Sequence, residues 1–297
     1  MHEAQIETTT DLVRRLLAAQ FPQWSGLPIQ PVQESGTDHS LYRIGDRLVA
    51  RLPIIDWAVD QAESDQRWLP VLAPHLPLSI PVPVALGRPG EGYPWPWLVV
   101  PWIAGQTPNG DNLDLASAAV DVAQFVTALH GIQPADGPVK SGTTRGVPLA
   151  KLDEGIHRLI EELSVDINID IDAAAVTRAW DEAVAAPRWD GPLVWIHGDL
   201  QPGNLIVAGR RLAAVIDFSG LGLGDPAPDL APAWNLFDDR TRTIFRKTLG
   251  YDDATWARAK GWVLAPALQG LRYYRNTRPD LAAAGRHRID AVLTDRT

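Results

Sequence analysis

The chain contains no cysteine, which excludes disulfides, a thiolate metal site and a cysteine nucleophile. Its formal net charge is −9, so the composition gives no sign of the basic surface that nucleic-acid binding requires. No apolar run approaches the ~18 residues that a membrane-spanning helix requires. The segment Met1–Thr10 carries Glu3 and Glu7 and does not resemble a signal peptide. We therefore expect a cytoplasmic protein with neither a nucleic-acid partner nor a membrane partner. The sequence predicts no particular oligomeric state.

The composition and the hydrophobic pattern predict a globular α+β protein of two units. The 297 residues are 45% hydrophobic and 21% charged, which allows a large core. Apolar alternation predicts strands over 40–44, 47–52 and 97–102, with helices over 10–20 and 56–72 and an extended, proline-containing segment over 78–86. Pro101 and the Gly105–Pro108 turn mark a boundary, so the domains are 1–103 and 104–297. The second domain is mostly helical, over 113–130, 151–163, 172–186, 227–237, 240–249, 253–275 and 279–294.

One stretch of sequence points directly to chemistry. It reads His-Gly-Asp-Leu-Gln-Pro-Gly-Asn over His197–Asn204 and is followed by Ile-Asp-Phe over Ile216–Phe218. Short apolar strands separate an aspartate, an asparagine and a second aspartate. Phosphoryl transfer from a nucleotide uses such a set, in which one carboxylate orients the acceptor hydroxyl and two further oxygen donors hold magnesium on the phosphates.

These motifs, with Gly-Asp-Pro-Ala-Pro-Asp-Leu over Gly224–Leu230, resemble the aminoglycoside and macrolide phosphotransferases. The resemblance implies a bilobal protein-kinase-like fold with a small β-rich, nucleotide-binding N-lobe (1–103) and a larger helical C-lobe (104–297) for catalysis and substrate binding. It implies a small-molecule O-phosphotransferase that moves the γ-phosphate of ATP or GTP to a hydroxyl of an antibiotic, either an aminoglycoside or a macrolide. The expected acceptor partner is a cationic antibiotic.

By the same resemblance, Asp199 is the catalytic base, and Asn204 and Asp217 are the Mg²⁺ ligands. A hard cation prefers oxygen donors, which these side chains supply. His197 supports the loop rather than transferring a proton. Asp225 and Asp229 are expected to brace the catalytic loop.

The cation that positions the phosphates is expected on the third strand of the small lobe. Kinase-like enzymes usually have lysine there, but this chain has no lysine before residue 140. Arg51 stands in the matching place and can pair with phosphate through two hydrogen bonds. Its expected partner is an acid on the following helix. Asp65 is preferred over Glu63 because it shares the apolar stripe and therefore points inward.

The nucleotide-binding residues are completed by two segments. The loop over 33–40 matches the nucleotide-covering loop of the family, where Ser35 and Thr37 are expected to reach phosphate oxygens. Pro101 is expected to offer its carbonyl, and Ile103 its N–H, to the edge of the purine base. Proline has no N–H, so the donor must come from Ile103. The sequence leaves the choice between ATP and GTP open.

Two alternative functions share these motifs. One is a metabolic kinase acting on a choline-, sugar- or homoserine-like substrate. The other is a catalytically silent nucleotide-binding module, which arginine at position 51 favours and the retained motif residues disfavour. Aromatic residues of the C-terminal helices suit a macrolide or metabolite pocket, whereas the acids at 238 and 239 suit an aminoglycoside. The aromatic candidates are Trp234, Phe237, Trp256, Trp262, Tyr273 and Tyr274.

Overall fold

A computed structural model of the protein describes residues 5–32, 38–133, 136–166 and 171–295. The chain divides into two compact units. The first contains the described residues up to Gln106 together with Ala213–Ser219, and the second contains the described residues of Thr107–Leu212 and Gly220–Thr297. The first unit thus includes a short segment from late in the sequence. No helix in the described parts of the chain has both the length and the apolar composition needed to span a bilayer.

The first unit is a five-stranded antiparallel sheet with two helices. The strand order is β1-β2-β3-β5-β4. Ser79 forms a parallel bridge with Ala214, which fixes the late segment to this unit. The elements are α1 (Thr10–Gln20), β1 (Ile29–Pro31), β2 (His39–Ile44), β3 (Leu48–Pro53), α2 (Gln61–Leu72), β4 (Ala85–Gly87) and β5 (Trp97–Pro101).

Side-chain alternation along β3 explains how the sheet packs. Ala50 and Leu52 belong to the core cluster that contains the buried residues of α1. Val49 belongs to a separate cluster with Ala62 of α2. Successive side chains of a strand point to opposite faces, so Arg51 shares the face of Val49. The strand pattern therefore directs Arg51 toward α2.

One predicted element of the first unit is divided in the structure, and another forms regular strand pairing over only part of its length. The helix expected over 56–72 is divided, because the amide of Val59 bonds to the carbonyl of Asp56 and closes a 3₁₀ turn before α2 begins at Gln61. The segment expected to be extended over 78–86 forms regular strand pairing only from Ala85. Prolines at positions 81 and 83 lack the N–H that ladder pairing requires.

The second unit is mostly helical, and six of its seven predicted helices are present. The helix predicted over 227–237 is divided into a 3₁₀ turn over Ala227–Leu230 and a short α-helix that begins at Pro232. β6 pairs antiparallel with β9, and β7 pairs with β8. Its core includes four buried tryptophans, Trp180, Trp195, Trp234 and Trp256. The elements are α3 (Leu115–Gly131), α4 (Asp153–Ser164), α5 (Ala173–Ala185), β6 (Val194–Ile196), β7 (Leu205–Ala208), β8 (Arg211–Val215), β9 (Gly222–Gly224), α6 (Pro232–Asn235), α7 (Asp239–Leu249), α8 (Asp253–Tyr274) and α9 (Pro279–Thr294).

The loop that follows β6 is held by a buried carboxylate. Asp229 accepts the backbone N–H of His197 at 2.8 Å through Oδ2 and that of Gly198 at 2.7 Å through Oδ1. His130 Nε2 lies 3.1 Å from Oδ2, and His130 Nδ1 lies 2.7 Å from the Tyr251 hydroxyl. The predicted bracing by Asp229 is therefore confirmed. The imidazole of His197 is also structural, because its Nδ1 accepts the Asp199 N–H at 3.2 Å.

Asp225 is structural, as expected, but its side chain contacts α8. It pairs with Arg258 of α8 at 2.7 Å and 3.2 Å and accepts the Ala227 N–H at 3.0 Å. Its carboxylate therefore anchors α8 rather than the loop that carries Asp199. A bidentate pair fixes both position and orientation of the guanidinium, which suits an anchor.

Glycine is required at position 198. Its φ of +77° lies in the left-handed region, and a Cβ there would sit 2.7 Å from the carbonyl oxygen of Gly220. An L-residue with a side chain would be both strained and obstructed. This is the physical reason for glycine before Asp199 in the motif.

The charges around Asp229 determine how its contribution depends on pH. Burial alone would raise the pKa of this carboxyl, but the hydrogen bond and charge of His130, the charge of His197 and the Gly198 N–H hold it below the usual value. A depressed folded-state pKa adds stability above the unfolded-state pKa of about 3.9. This stability is lost as the pH falls through the folded-state pKa.

Asp229→Asn is predicted to lower the free energy of unfolding by about 3 kcal/mol at pH 7, since one backbone N–H loses its acceptor and a buried charge pair is broken. Urea unfolding should show this difference starting to shrink below about pH 4, where the unfolded-state carboxyl becomes protonated, and vanishing as the pH falls through the lower native pKa. Asp290→Asn, at an exposed position of α9, is the matched control and should be near neutral. A constant difference from pH 7 to pH 3 would contradict the assignment.

Candidate active site

The first unit joins one arginine to two aspartates. Arg51 Nη1 donates to Asp65 Oδ2 at 2.7 Å, and Nη2 donates to Asp217 Oδ1 at 2.9 Å. The predicted ion pair between Arg51 and Asp65 is thus present, and Glu63 is exposed instead. The binding of nucleotide phosphates by Arg51 and its helix partner stays a prediction. The additional link to Asp217 was not anticipated, because the two residues are 166 positions apart.

The cluster around Arg51 carries an excess of negative charge. Burial raises the pKa of Asp65 to about 6; Arg51 opposes this rise and Asp217 adds to it. Asp65 Oδ1 is buried and has no hydrogen-bond partner among the described residues. His39 adds no charge at neutral pH, since burial and the nearby guanidinium lower its pKa to about 3. One cation is therefore shared between two carboxylates.

Asp217 has the properties of a cation ligand. Its backbone φ is +59°, a conformation that aspartate adopts more readily than most residues. The side chain is 40% exposed, and Gln61 Nε2 approaches Oδ1 at 3.5 Å. A solvent-accessible carboxylate within a negatively charged cluster fits Mg²⁺, which retains several waters when it binds proteins. The magnesium role remains a prediction.

The other predicted nucleotide contacts are placed only in part. Pro101 ends β5 opposite Leu48, and Ile103 follows Trp102, whose N–H donates to the Arg47 carbonyl at 2.8 Å. Contacts of the base edge with these two positions stay predictions. Ser35 and Thr37 lie outside the described residues.

In the second unit, both carboxylate oxygens of Asp199 are hydrogen-bonded. Arg145 Nη1 pairs with Oδ1 and also donates to the Gly198 carbonyl at 2.9 Å. Gln201 Nε2 and Asn204 Nδ2 each donate to Oδ2 at 3.1 Å. These contacts fix the carboxylate that the motif predicts to be the base. That Asp199 accepts a proton stays a prediction, and the observed geometry is compatible with it.

Asn204 is oriented by the same loop. Its Nδ2 donates both to the Asp199 carbonyl at 2.9 Å and to the Asp199 carboxylate. With the amide nitrogen committed in this way, Oδ1 is the atom of Asn204 that suits a cation. The residue therefore fits the predicted role of a neutral oxygen donor to magnesium.

A pocket beside Asp199 is lined by several residues that the sequence analysis did not identify, together with Trp262, which it did. Its wall includes Arg145, Gln201, Asn235, Trp262 and Arg288. Arg288 Nη2 donates to Gln201 Oε1 at 2.9 Å, so one glutamine links Asp199 to α9. Gln201 lies inside the motif and could have been noticed. Arg145 lies in an irregular loop and Arg288 on a helix 89 positions after Asp199, so no local pattern marks them.

The aromatic residues proposed for an acceptor pocket have different roles. Trp234, Phe237 and Trp256 are buried in the core. Trp262 alone of the six lines the pocket beside Asp199. The rings of Tyr273 and Tyr274 make an edge-to-face contact with their centroids 4.8 Å apart, and Tyr273 is exposed.

The two acids proposed to attract a cationic substrate also have other roles. Asp238 caps α7 by accepting the Thr241 N–H at 2.8 Å. Asp239 is exposed in the first turn of the same helix and pairs with Arg242. Neither residue lines the pocket beside Asp199.

Comparison with protein families gives a match over residues 29–262, to the phosphotransferase enzyme family (APH). Comparison with curated proteins gives no match. The chain is similar in structure to the GDP and kanamycin complex of APH(2")-IIia, with 18% identity, a TM-score of 0.71 and coverage of 96% of this chain and 99% of that one. It is also similar to ADP-bound aminoglycoside phosphotransferase APH(2'')-Ib, with 15% identity, a TM-score of 0.58 and coverage of 96% and 98%.

A further similar structure is the macrolide 2'-phosphotransferase MphH from Brachybacterium faecium, as apoenzyme. It shares 20% identity and a TM-score of 0.62, with coverage of 97% of this chain and 98% of that one. At these identities the structural matches establish the shared kinase-like fold, and the family match spans most of the chain. The protein therefore belongs to the phosphotransferase enzyme family and is a phosphotransferase with an α+β, kinase-like fold.

Proposed function

We propose that the protein transfers the γ-phosphate of ATP or GTP to a hydroxyl of a small molecule. The observation that carries this proposal is the fixed carboxylate of Asp199, which accepts hydrogen bonds from Gln201 and Asn204, while Asp229 holds the backbone just before it. A base must be held in position to be effective, since alignment of the reacting groups supplies much of the rate. The family match supports phosphotransfer as the reaction class.

The proposed reaction is an in-line displacement at the γ-phosphorus. The acceptor hydroxyl oxygen forms a bond to phosphorus, its proton moves to an oxygen of Asp199, and the bond from phosphorus to the β-γ bridging oxygen breaks. The products are a phosphate ester and a nucleoside diphosphate. Arg51 is proposed to pair with nucleotide phosphates. Asn204 and Asp217 each offer an oxygen to magnesium, which supplies charge neutralisation at the phosphates when bound.

No single residue determines whether ATP or GTP is the preferred nucleotide. Similar structures contain GDP in one case and ADP in another. We therefore propose that either purine nucleotide serves, with Pro101 and Ile103 at the base edge. Steady-state turnover with ATP and with GTP, at equal magnesium, measures the preference.

Two classes of acceptor are proposed. The first is a hydroxyl of an aminoglycoside or macrolide antibiotic, supported by the names of the similar structures. The second is a hydroxyl of a metabolite, supported by the two arginines that line the pocket beside Asp199. A polycationic aminoglycoside prefers an acidic cleft, so guanidinium groups disfavour it. Turnover with kanamycin, erythromycin and common metabolites separates the two.

Asp199→Ala is predicted to lower kcat by ~10²–10⁴-fold, the usual contribution of a general base. Nucleotide affinity and the urea unfolding curve should change little, because Asp199 does not hold the loop by its side chain alone. Coupled detection of the nucleoside diphosphate measures kcat. Wild-type kcat in this variant would exclude Asp199 as the base, and absence of magnesium-dependent turnover in the wild type would favour a silent nucleotide-binding module.

Asp217→Ala is predicted to weaken magnesium-dependent nucleotide binding more than Asn204→Ala, because a carboxylate brings charge to the cation and an amide does not. Magnesium titrations at fixed nucleotide, monitored by calorimetry, give the half-saturating concentration for each variant. The same magnesium dependence in Asp217→Ala and wild type would exclude Asp217 as a ligand.

A further inference from the structure

The pocket beside Asp199 carries positive charge in a protein whose net charge is −9. Arg145 and Arg288 line it, and Asp199 is the single acid among its lining residues. Two guanidinium groups and one carboxylate leave an excess of one positive charge. The sign of this local charge is opposite to that of the chain, so it reflects the local arrangement of side chains.

Arg288 is the more informative of the two arginines. Among the described residues it forms no ion pair within 4.0 Å, and its Nη2 donates to a neutral amide oxygen of Gln201 at 2.9 Å. It is half-buried on α9, and burial lowers its pKa, with Asp199 opposing and Arg145 adding to that effect. A partly desolvated guanidinium without a carboxylate is costly, and an anionic ligand removes that cost.

Arg145 connects this charge to the reacting group. It pairs with Asp199 Oδ1, while Oδ2 accepts from Gln201 and Asn204. An anionic group that binds the guanidinium of Arg145 competes with Oδ1 and makes that oxygen available to a hydroxyl of the same ligand. A neutral or cationic acceptor offers no such competition.

The other polar lining groups of the pocket belong to Gln201 and Asn235. Trp262 also lines it and is 3% exposed. The guanidinium groups of Arg145 and Arg288 are therefore the charged donors that the pocket offers to an oxygen anion.

We propose that the acceptor is an oxyanion-bearing alcohol, whose carboxylate or phosphate group is bound by Arg288 and Arg145 while its hydroxyl meets Asp199. This inference rests on the proposed phosphotransfer and names its substrate class. Arg288 is a specificity-determining residue in this arrangement. Arg145 is a positioning residue that acts through Asp199.

A matched set of linear six-carbon alcohols tests the charge directly. Gluconate, glucitol 6-phosphate, glucitol and glucamine share a hydroxylated chain and carry a carboxylate, a phosphate, no charge and an ammonium group, respectively. Calorimetric titration without nucleotide should give binding of gluconate or glucitol 6-phosphate at least ~10-fold tighter than binding of glucitol or glucamine, the size of one charged hydrogen bond. The two anionic compounds distinguish a carboxylate acceptor from a phosphate acceptor.

Substitutions at Arg288 distinguish recognition of charge from a structural role. Arg288→Gln should remove the ~10-fold preference, and Arg288→Lys should restore part of it because the charge is retained. Arg272→Gln on α8 removes an exposed ion pair with Glu162 of α4 and should leave the preference unchanged. A structural defect alone would weaken all four compounds equally and would not be rescued by lysine.

The proposal is overturned if neither anionic compound binds, if glucamine or kanamycin binds as tightly as the anions, or if Arg288→Gln keeps the preference. Because these titrations contain no nucleotide, they are independent of phosphate transfer. Transfer to a cationic acceptor would uphold the proposed function and refute this inference. Anion binding through Arg288 without transfer to any acceptor would uphold the recognition of anions and refute the proposed phosphotransfer.

Discussion

The catalytic loop depends on one buried carboxylate. Asp229 receives two consecutive backbone N–H groups and a histidine, so the loop that carries Asp199 is fixed by a residue that follows it by thirty positions. A fully buried charge is tolerated only when it is hydrogen-bonded on all sides, and that requirement makes the arrangement specific. The left-handed glycine, Gly198, carries the second of these two amides.

The first unit contains a second charged arrangement with the opposite character. Arg51 is shared between a buried aspartate and a half-exposed one, and it leaves one carboxylate oxygen of Asp65 without a partner. Because two carboxylates share one guanidinium, net negative charge remains beside the accessible carboxylate of Asp217. The arginine in place of the usual lysine keeps both links because its guanidinium offers several donors in one plane.

The charge of the pocket beside Asp199 is opposite in sign to the net charge of the chain. Most of the aromatic residues considered for an acceptor pocket are buried in the core. Asp238 and Asp239 cap or flank α7. The polar side chains that line the pocket are two arginines, two amides and the carboxylate of Asp199. The fold is common to the family, and a few side chains set the chemistry of this pocket. Substrate preference depends on such side chains rather than on the fold.

The sequence by itself determined the elements and the motif. Helix and strand periodicity located nearly all helices to within a few residues. The motif loop could be identified because the residues His197–Asn204 are consecutive in the sequence. The inward direction of Asp65 also followed from helical spacing. Only the tertiary structure decided that Asp225 binds Arg258, that Arg51 also reaches Asp217, and that Arg145 and Arg288 meet at Asp199. These contacts join residues far apart in the chain, and periodicity describes which face a residue occupies but not which distant residue meets it.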